Sequence, residues 1–516
     1  MKFATESGIC CYEEEKDEYL ARCGAAGGDH AHRSRIYPAD NLARPAETPT
    51  MKLKEECGLF AIYSQSTEIA DALQMGLFAL QHRGQEAAGF AISDGKELRC
   101  YKDLGLVQDV FARGRVWLLR GHIGIAHTRY STHGESARPE NAQPFILRRE
   151  GRWIALAHNG NLSNAPQLRD ELSAEGVFFN STSDSESLLH LYARAPGASP
   201  HERLTFVTRR VMGAYSVILI DGEKLVAARD PFGFRPLVLG RRGSDWCIAS
   251  ETAALDILGA QVVREIEPGE VVVIDGTGVH AARLISERPP RRQCIFELIY
   301  FARPDSQLFG QNVYEFRKRC GAMLAQKETH EIDIVVPVPD SGLPAALGYS
   351  RRLNKPLEFG LIRSHYIGRS FIEPNQESRI HKVRMKLLPL RDVLHGRRIA
   401  LVDDSIVRGT TSRAIVHVVR EFGAKEVHLR IASPPLIAPC YFGIDMPTRE
   451  ELVASSRTIP QITQFMNADS VVYLSVEELQ QCVRDPENFC TACFTGRYPE
   501  GSLPQEHPAL EYLLPK

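Results

Sequence analysis

From residue 57 onward the chain is built of short apolar runs that end in polar residues. ECGLFAIYS (56–64), AAGFAISDG (87–95), IGIAHTRYS (123–131) and WIALAHNGN (153–161) read as buried strands that deliver polar side chains to loops. Helical spacing covers about 67–81, 165–174 and 184–195, the last opened by the Ser/Asp-rich STSDSE (181–186), a plausible cap. SVILIDGEKLVAARD (216–230) places Asp221-Gly222 between two apolar runs, a hairpin signal, and EVVVIDGTGVHAARLI (270–285) repeats it. Several strands separated by helices at this spacing predict a sandwich of sheets and helices.

The texture changes after the Pro/Arg-rich SERPPRRQ (286–293). VYEFRKRCGAMLAQ (313–326) is helical, IDIVVPVPDSG (332–342) is a strand running into a loop, a helix follows at about 343–352, and PLEFGLI (356–362) reads as a strand. Residues 397–435 read as strand, loop, helix and strand. Strands alternating with helices predict a parallel sheet in an α/β domain. Residues 436–516 carry no long periodic element and are expected to be irregular structure packed on both domains. Residues 1–50, with EEEKDE and GAAGGDHAH stretches, show little periodicity and read as a poorly ordered extension; Met51 stands just before the first patterned segment. No internal repeat is visible.

Length and charge narrow this picture. At ~150 residues per domain, 516 residues predict two to four domains. Lys plus Arg is 62 and Asp plus Glu is 64, so the net charge of −2 lacks the basic footprint of a dedicated nucleic-acid binder. No apolar run reaches the ~18 residues of a membrane helix. The first twenty residues lack the apolar core of a secretory signal. A cytoplasmic, reducing compartment is therefore expected, and the 12 cysteines become buried fillers, metal ligands or nucleophiles.

ALVDDSIVRGTTS (400–412) is the most informative stretch. A strand runs into Asp403 and Asp404, and a short loop with Ser405, Arg408, Gly409, Thr410 and Thr411 opens a helix. Backbone N–H groups at such a helix start form an anion site. Two adjacent carboxylates beside an anion need a ribose diol, or a Mg²⁺ bridging diol and pyrophosphate. The stretch resembles the phosphoribosyltransferase signature for 5-phosphoribosyl-1-pyrophosphate (PRPP). That resemblance implies that Asp403 and Asp404 hold the ribose hydroxyls and the metal, with residues 405–411 around the 5′-phosphate. Ser341 in VPDSG would then lie near pyrophosphate and metal. RSHYIGRSFIEP (363–374), with Arg369, would be a lid over PRPP. His365 stands where related sequences often carry arginine, so PRPP affinity is expected to depend more on pH.

EECGLF (55–60), QHRGQEAAG (81–89), HTRYST (127–132), HNGNLSN (158–164) and TSDSE (182–186) are each weak alone. In this order they resemble class-II glutamine amidotransferases. The resemblance implies an α+β four-layer N-terminal-nucleophile hydrolase sandwich, followed here by an α/β type I phosphoribosyltransferase domain. Glutamine hydrolysis needs a nucleophile, a base, an oxyanion hole and a head-group clamp. Cys57 would be the nucleophile and its own α-amine, of unperturbed pKa ~8, the base. That amine exists only if residues 1–56 are removed. Asn159 and Gly160 would stabilise the oxyanion, Arg129 would pair with the substrate carboxylate, and Asp184 would accept from its ammonium.

With RDPFGFRPL (229–237), SETAALD (250–256), EPGE (267–270), YFARPDS (300–306), RMKL (384–387), ASPP (432–435) and CTACFTGRYP (490–499), residues 51–498 resemble the glutamine PRPP amidotransferases. The resemblance implies ammonia transfer from glutamine to PRPP at the entry to purine synthesis. A glutamine-dependent amidotransferase with another acceptor is the competing reading. Cys490 and Cys493 form a C-x-x-C for which zinc, redox chemistry and coincidence all stay open. Iron–sulfur members of the family take ligands from positions matching Cys294, Cys440, Cys490 and Cys493, implying a 4Fe–4S cluster with zinc as runner-up. The expected division is an extension at 1–56, a glutaminase domain at 57–290, a phosphoribosyltransferase domain at 291–455 and a tail at 456–516. Purine nucleotide feedback inhibitors and a homotetramer are implied by the family alone.

Overall fold

The computed structural model describes residues 57–129, 138–287, 289–364, 386–444, 446 and 448–507. The expectations for residues 1–56, His365 and Arg369 lie outside the described residues.

The apolar runs of the first domain lack polar–apolar alternation because both faces of their strands are covered. In strand Gly58–Tyr63, Leu59 and Ala61 point into one core while Phe60 and Ile62 point into another. In strand Arg152–Leu162, Ala155 and Ala157 share the core of Leu59, whereas Ile154 and Leu156 face a third. A strand with period-two side chains and two buried faces reads as a continuous hydrophobic run.

These strands build two sheets. One has seven strands in the order Gln261–Glu265, Val238–Arg242, Asp245–Ala249, Gly58–Tyr63, Ile123–Arg129, Ala87–Ser93 and Leu98–Leu104. The other has six, in the order Gly278–Arg283, Glu270–Asp275, Lys224–Arg229, Gly213–Asp221, Arg152–Leu162 and Phe145–Arg149. Helices Ala70–Ala79 and Val107–Arg113 cover the outer face of the first sheet. Helices Ala165–Ala174, Asp184–Arg194 and Pro200–Thr208 cover that of the second. The result is the expected four-layer sandwich. The Ser/Asp signal before residue 184 is a cap: the Ser183 side chain accepts from the Ser185 N–H.

The second domain is a parallel sheet ordered Ile334–Pro337, Arg398–Asp403, Glu426–Ile431 and Ser470–Tyr473. Two expectations are corrected here. Residues 436–516 are not irregular throughout: helix Ile459–Met466, with a Thr458/Gln461 capping box, leads into the sheet's fourth strand. PLEFGLI is not a strand of this sheet; Leu361–Arg363 pairs with Leu387–Pro389 in a separate two-stranded ribbon, and Leu357 makes only an isolated bridge to Val335.

Helices Val313–Ala325 and Leu343–Leu353 cross with glycine on each side of the contact. A Cβ on Gly321 would overlap the Ala345 carbonyl, and one on Gly348 the Lys318 carbonyl. Overfilling a close crossing of this kind costs about 1–3 kcal/mol. Gly321→Ala should therefore lower stability by that amount in denaturant unfolding. Gly276→Ala, where a Cβ would meet nothing, should stay within about 0.5 kcal/mol of the parent.

Candidate active sites

Cys57 stands at the head of strand Gly58–Tyr63, and three neighbouring segments hold it there. The Gly58 N–H donates to Thr128 Oγ1 (3.1 Å), the Leu59 N–H to Ser250 Oγ (3.0 Å), and Arg83 Nε to the Cys57 carbonyl (3.2 Å). Arg129 ends the adjacent antiparallel strand. Burial pushes its guanidinium down, while the charges of Cys57, Glu86 and Asp184 around it push back up. Asp184, the first residue of its helix, is buried and accepts the Leu162 N–H at 2.9 Å. Cys57, Arg129 and Asp184 are thus brought into one electrostatic neighbourhood.

Asn159 and Gly160 precede Leu162 on the same strand. The Asn159 amide Nδ2 is buried and has no hydrogen-bond partner among the described residues. A donor of that kind, left open in a protein interior, suits a charge that develops only during reaction. Gly160 has φ 147°, and a Cβ there would overlap the Ala214 carbonyl of the neighbouring strand. The position therefore demands glycine.

Behind this pocket lies a buried ionic network that sequence reasoning missed. Arg83 donates from Nη1 to Glu251 (2.5 Å) and from Nη2 to Glu297 (2.7 Å). Arg235 Nη1 lies 3.4 Å from Glu297, and its Nε and Nη2 donate to the Phe442 carbonyl at 3.0 and 2.7 Å. His82 and Ser306 also contact Glu251, each at 2.7 Å. Burial alone would raise the Glu251 carboxyl, but His82 and Arg83 beside it hold it well below the ordinary carboxylate range. QHRGQ, SET and RDPFGFRPL supply three of the four charges; nothing in the local pattern says that they meet Glu297.

In the second domain Asp403 closes its strand and Asp404 follows. The Asp404 N–H donates to Asp403 Oδ1 (3.0 Å) and Ser405 Oγ to Asp404 Oδ2 (2.6 Å). Burial and the Asp404 charge push the Asp403 carboxyl well up. Gly409, at φ 74°, turns the chain into helix Thr410–Glu421, whose first turn has no side-chain cap. Thr410 and Thr411 are exposed at that open end. The loop holding Ser341 lies alongside: a Cβ on Gly342 would sit 2.5 Å from the Val402 carbonyl and 3.2 Å from Asp403 Cα. A cleft of about 170 Å³ adjoins it, lined among others by Asp340 and Arg363, which pair with each other. Arg408 donates to Glu451 at 3.1 Å, away from the acidic pair, while its Nε has no partner among the described residues.

The four candidate cluster thiols converge from three segments. Cys294 and Cys490 are register partners in a short parallel ribbon. With Cys440 and Cys493 they line one cavity, closed by Phe234, Phe442 and Tyr498. Burial pushes the Cys490 thiol up to about 12 and Cys493 further, the latter reinforced by the other three thiols. Among the described residues no three His, Cys, Asp or Glu side chains are grouped as ligands of a single metal ion. Four thiols lining one cavity are a donor set of the kind that holds a metal centre.

A glutamine amidotransferase domain model matches residues 127–257, and a phosphoribosyl transferase domain model matches 311–432. The amidophosphoribosyltransferase of Methanothermobacter thermautotrophicus is 45% identical over 454 residues, 87% of this chain and 95% of that one. The chain belongs to the amidophosphoribosyltransferase family. The chloroplastic amidophosphoribosyltransferase of Glycine max is 47% identical over 451 residues, covering 87% of this chain and 79% of its own. The solved glutamine PRPP amidotransferase of B. subtilis, complexed with ADP and GMP, is similar at 43% identity and TM-score 0.82, covering 87% of this chain and 98% of that one. No helix among the described residues is long and apolar enough to cross a membrane.

In this member of the amidophosphoribosyltransferase family His127, two residues before Arg129, is fully buried. Its Nε2 is 3.2 Å from the His158 carbonyl, while its Nδ1 has no partner among the described residues. Burial, then the Arg129 charge, push its pKa down to about 3. The unfolded chain, titrating near 6.5, binds the proton that the folded chain refuses. Stability therefore rises with pH between about 3 and 6.5, and is lost as pH falls, by up to about 1.4 kcal/mol per pH unit from this residue. Denaturant unfolding at pH 6.5 and 4.5 should show this slope, and His127→Asn should flatten it.

Proposed function

We propose that the two pockets divide one reaction between them. The chain transfers ammonia from glutamine to PRPP, giving 5-phosphoribosylamine, glutamate and pyrophosphate, the first step of de novo purine biosynthesis. In our reading the glutaminase half runs on Cys57. Its α-amine, exposed by removal of residues 1–56, takes the thiol proton, and the thiolate attacks the glutamine amide carbon. Arg129 pairs with the substrate α-carboxylate and Asp184 accepts from the α-ammonium. Asn159 Nδ2 and the Gly160 N–H receive the oxyanion; the buried, unpartnered Asn159 amide is the observation that carries this assignment. Collapse of the tetrahedral adduct releases ammonia and leaves a thioester, which water hydrolyses to glutamate.

The synthase half is assigned to the acidic pair. Asp403 and Asp404 hold the ribose diol, and Ser405, Arg408, Gly409, Thr410 and Thr411 surround the 5′-phosphate at the open helix end. Ser341, Asp403 and Asp404 would hold Mg²⁺, which supplies positive charge to the departing pyrophosphate. Two adjacent buried carboxylates, with Asp403 raised by burial and by the Asp404 charge, suit that assignment. Ammonia attacks the anomeric carbon as the C–O bond to pyrophosphate breaks. Arg369 would reach the pyrophosphate, and His365, from the same sequence segment, would make PRPP binding depend on pH. Arg408 reaches the phosphate only by leaving Glu451.

Cys294, Cys440, Cys490 and Cys493 would hold a 4Fe–4S cluster, making the chain an iron–sulfur-type member. The reaction contains no redox step, so the cluster's part is structural or oxygen-sensing. We place the glutaminase domain at 57–290, the phosphoribosyltransferase domain at 291–455 and the tail beyond it, with the last sheet strand drawn from that tail. Purine nucleotides are the proposed feedback inhibitors, in keeping with the ADP and GMP of the similar B. subtilis structure, and a homotetramer the proposed assembly. The proposed compartment is the cytoplasm, although the soybean relative is named chloroplastic.

Cys57→Ser should abolish glutamine-dependent synthesis while sparing synthesis from added ammonia; loss of both would overturn the two-pocket assignment. Asn159→Ala should lower glutamine-dependent kcat by about 10²–10³-fold with the ammonia reaction unchanged. Anaerobically purified protein should contain four irons per chain and begin at Cys57 by mass spectrometry. One zinc per chain would refute the cluster, and active enzyme retaining Glu56 would refute the processing.

A further inference from the structure

Four successive residues of strand Arg152–Leu162 meet different neighbours. Asn159 carries the unpartnered amide. Leu162 is tied to Asp184. Between them, Gly160 and Asn161 touch the second domain. A Cβ on Gly443 would lie 2.9–3.0 Å from the backbone of Gly160. The Asn161 Nδ2 donates to the Tyr441 carbonyl at 2.9 Å. The next carbonyl, that of Phe442, takes both bonds from Arg235, and the Phe442 ring stacks on Phe234 at 4.3 Å. The loop Cys440–Gly443 is therefore pressed, backbone to backbone, against the proposed oxyanion strand.

We infer that this loop is a positioning element of the glutaminase site and that Asn161 is the positioning residue through which it acts. The inference rests on the oxyanion role proposed for Asn159 and Gly160. An oxyanion donor works only when its geometry is set before charge develops. Gly160 cannot set its own, since a glycine at φ 147° has the widest backbone freedom of any residue. Strand pairing to Gly213–Asp221 fixes one edge. The Gly443 backbone closes the space beside Gly160, and the Asn161 amide prevents the strand from sliding past it. Because Cys440 begins the same loop and lines the thiol cavity, whatever holds Cys440 also fixes the oxyanion donors. The thiol site thereby acts on glutamine chemistry through backbone placement alone.

The test compares Asn161→Ala, Asn159→Ala and Cys440→Ser in the full chain, purified anaerobically. Asn161→Ala should lower glutamine-dependent kcat about tenfold with the glutamine KM within about twofold, leave ammonia-dependent synthesis and iron content unchanged, and speed amide exchange at residues 159–162. Cys440→Ser should speed exchange at the same amides. If Asn161→Ala leaves kcat and exchange as in the parent while Asn159→Ala is inactive with glutamine, this inference falls and the oxyanion assignment stands. If Asn159→Ala is itself fully active, the oxyanion assignment falls first. Unaltered exchange at 159–162 in Cys440→Ser would sever the thiol site from the strand.

Discussion

Four fully buried charges hold the two domains in register: Arg83, Glu251, Arg235 and Glu297, each with 0% side-chain exposure. Taking an ion out of water costs several kcal/mol even after relaxation, and an unpaired one cannot be kept. The first domain contributes two arginines and one glutamate; the matching glutamate comes from the Glu297–Phe301 turn at the start of the second. Docking pairs the surplus positive charge of the first domain with the one glutamate of the second, which favours their association. The network also reaches the chemistry, because Arg83 holds the Cys57 carbonyl with one nitrogen and Glu297 with another. One arginine thus links the domain interface to the Cys57 backbone.

The two pockets solve their electrostatics in opposite ways. Around Arg129, Glu86 and Asp184 already oppose its charge. A zwitterionic amino acid entering such a site exchanges existing pairings for its own, with little net charge moved. The Asp403–Asp404 pair, by contrast, is buried, and Asp403 is raised by burial and by its neighbour's charge. A cation or a set of hydroxyl donors would relieve that crowding. The asymmetry follows from where each site sits: one between strands of a packed sandwich, the other at the open end of a parallel sheet, where a helix N-terminus can face solvent and ligand.

Much of this was legible in the chain because it rests on local patterns. Strands buried on both faces announce themselves as apolar runs, and Asp403 to Thr411 packs strand, acids, glycine and hydroxyls into nine residues. What escaped was either too short or too remote. Ser470–Tyr473 is a four-residue strand whose role depends on pairing with Glu426–Ile431; the Thr458/Gln461 capping box before it was the available sign that regular structure resumes. PLEFGLI has strand composition, but its last residues pair outside the main sheet. The ionic network joins residues 168 and 214 positions apart. A lone arginine or glutamate reads as solvent-exposed by default, and only the fold reverses that.

The thiol cavity shows why such a site cannot be a passive filler. Burial raises the Cys490 and Cys493 thiols, and cysteines gathered in a cavity gain little beyond ordinary packing. Three separate segments are nevertheless brought to one point, and one of them continues directly into the carbonyls gripped by Asn161 and Arg235. A loop whose Cys440 lines the thiol cavity and whose next two carbonyls are held by the first domain has little freedom left. The irregular stretch between strands Glu426–Ile431 and Ser470–Tyr473 thus joins the thiol cavity to the first domain.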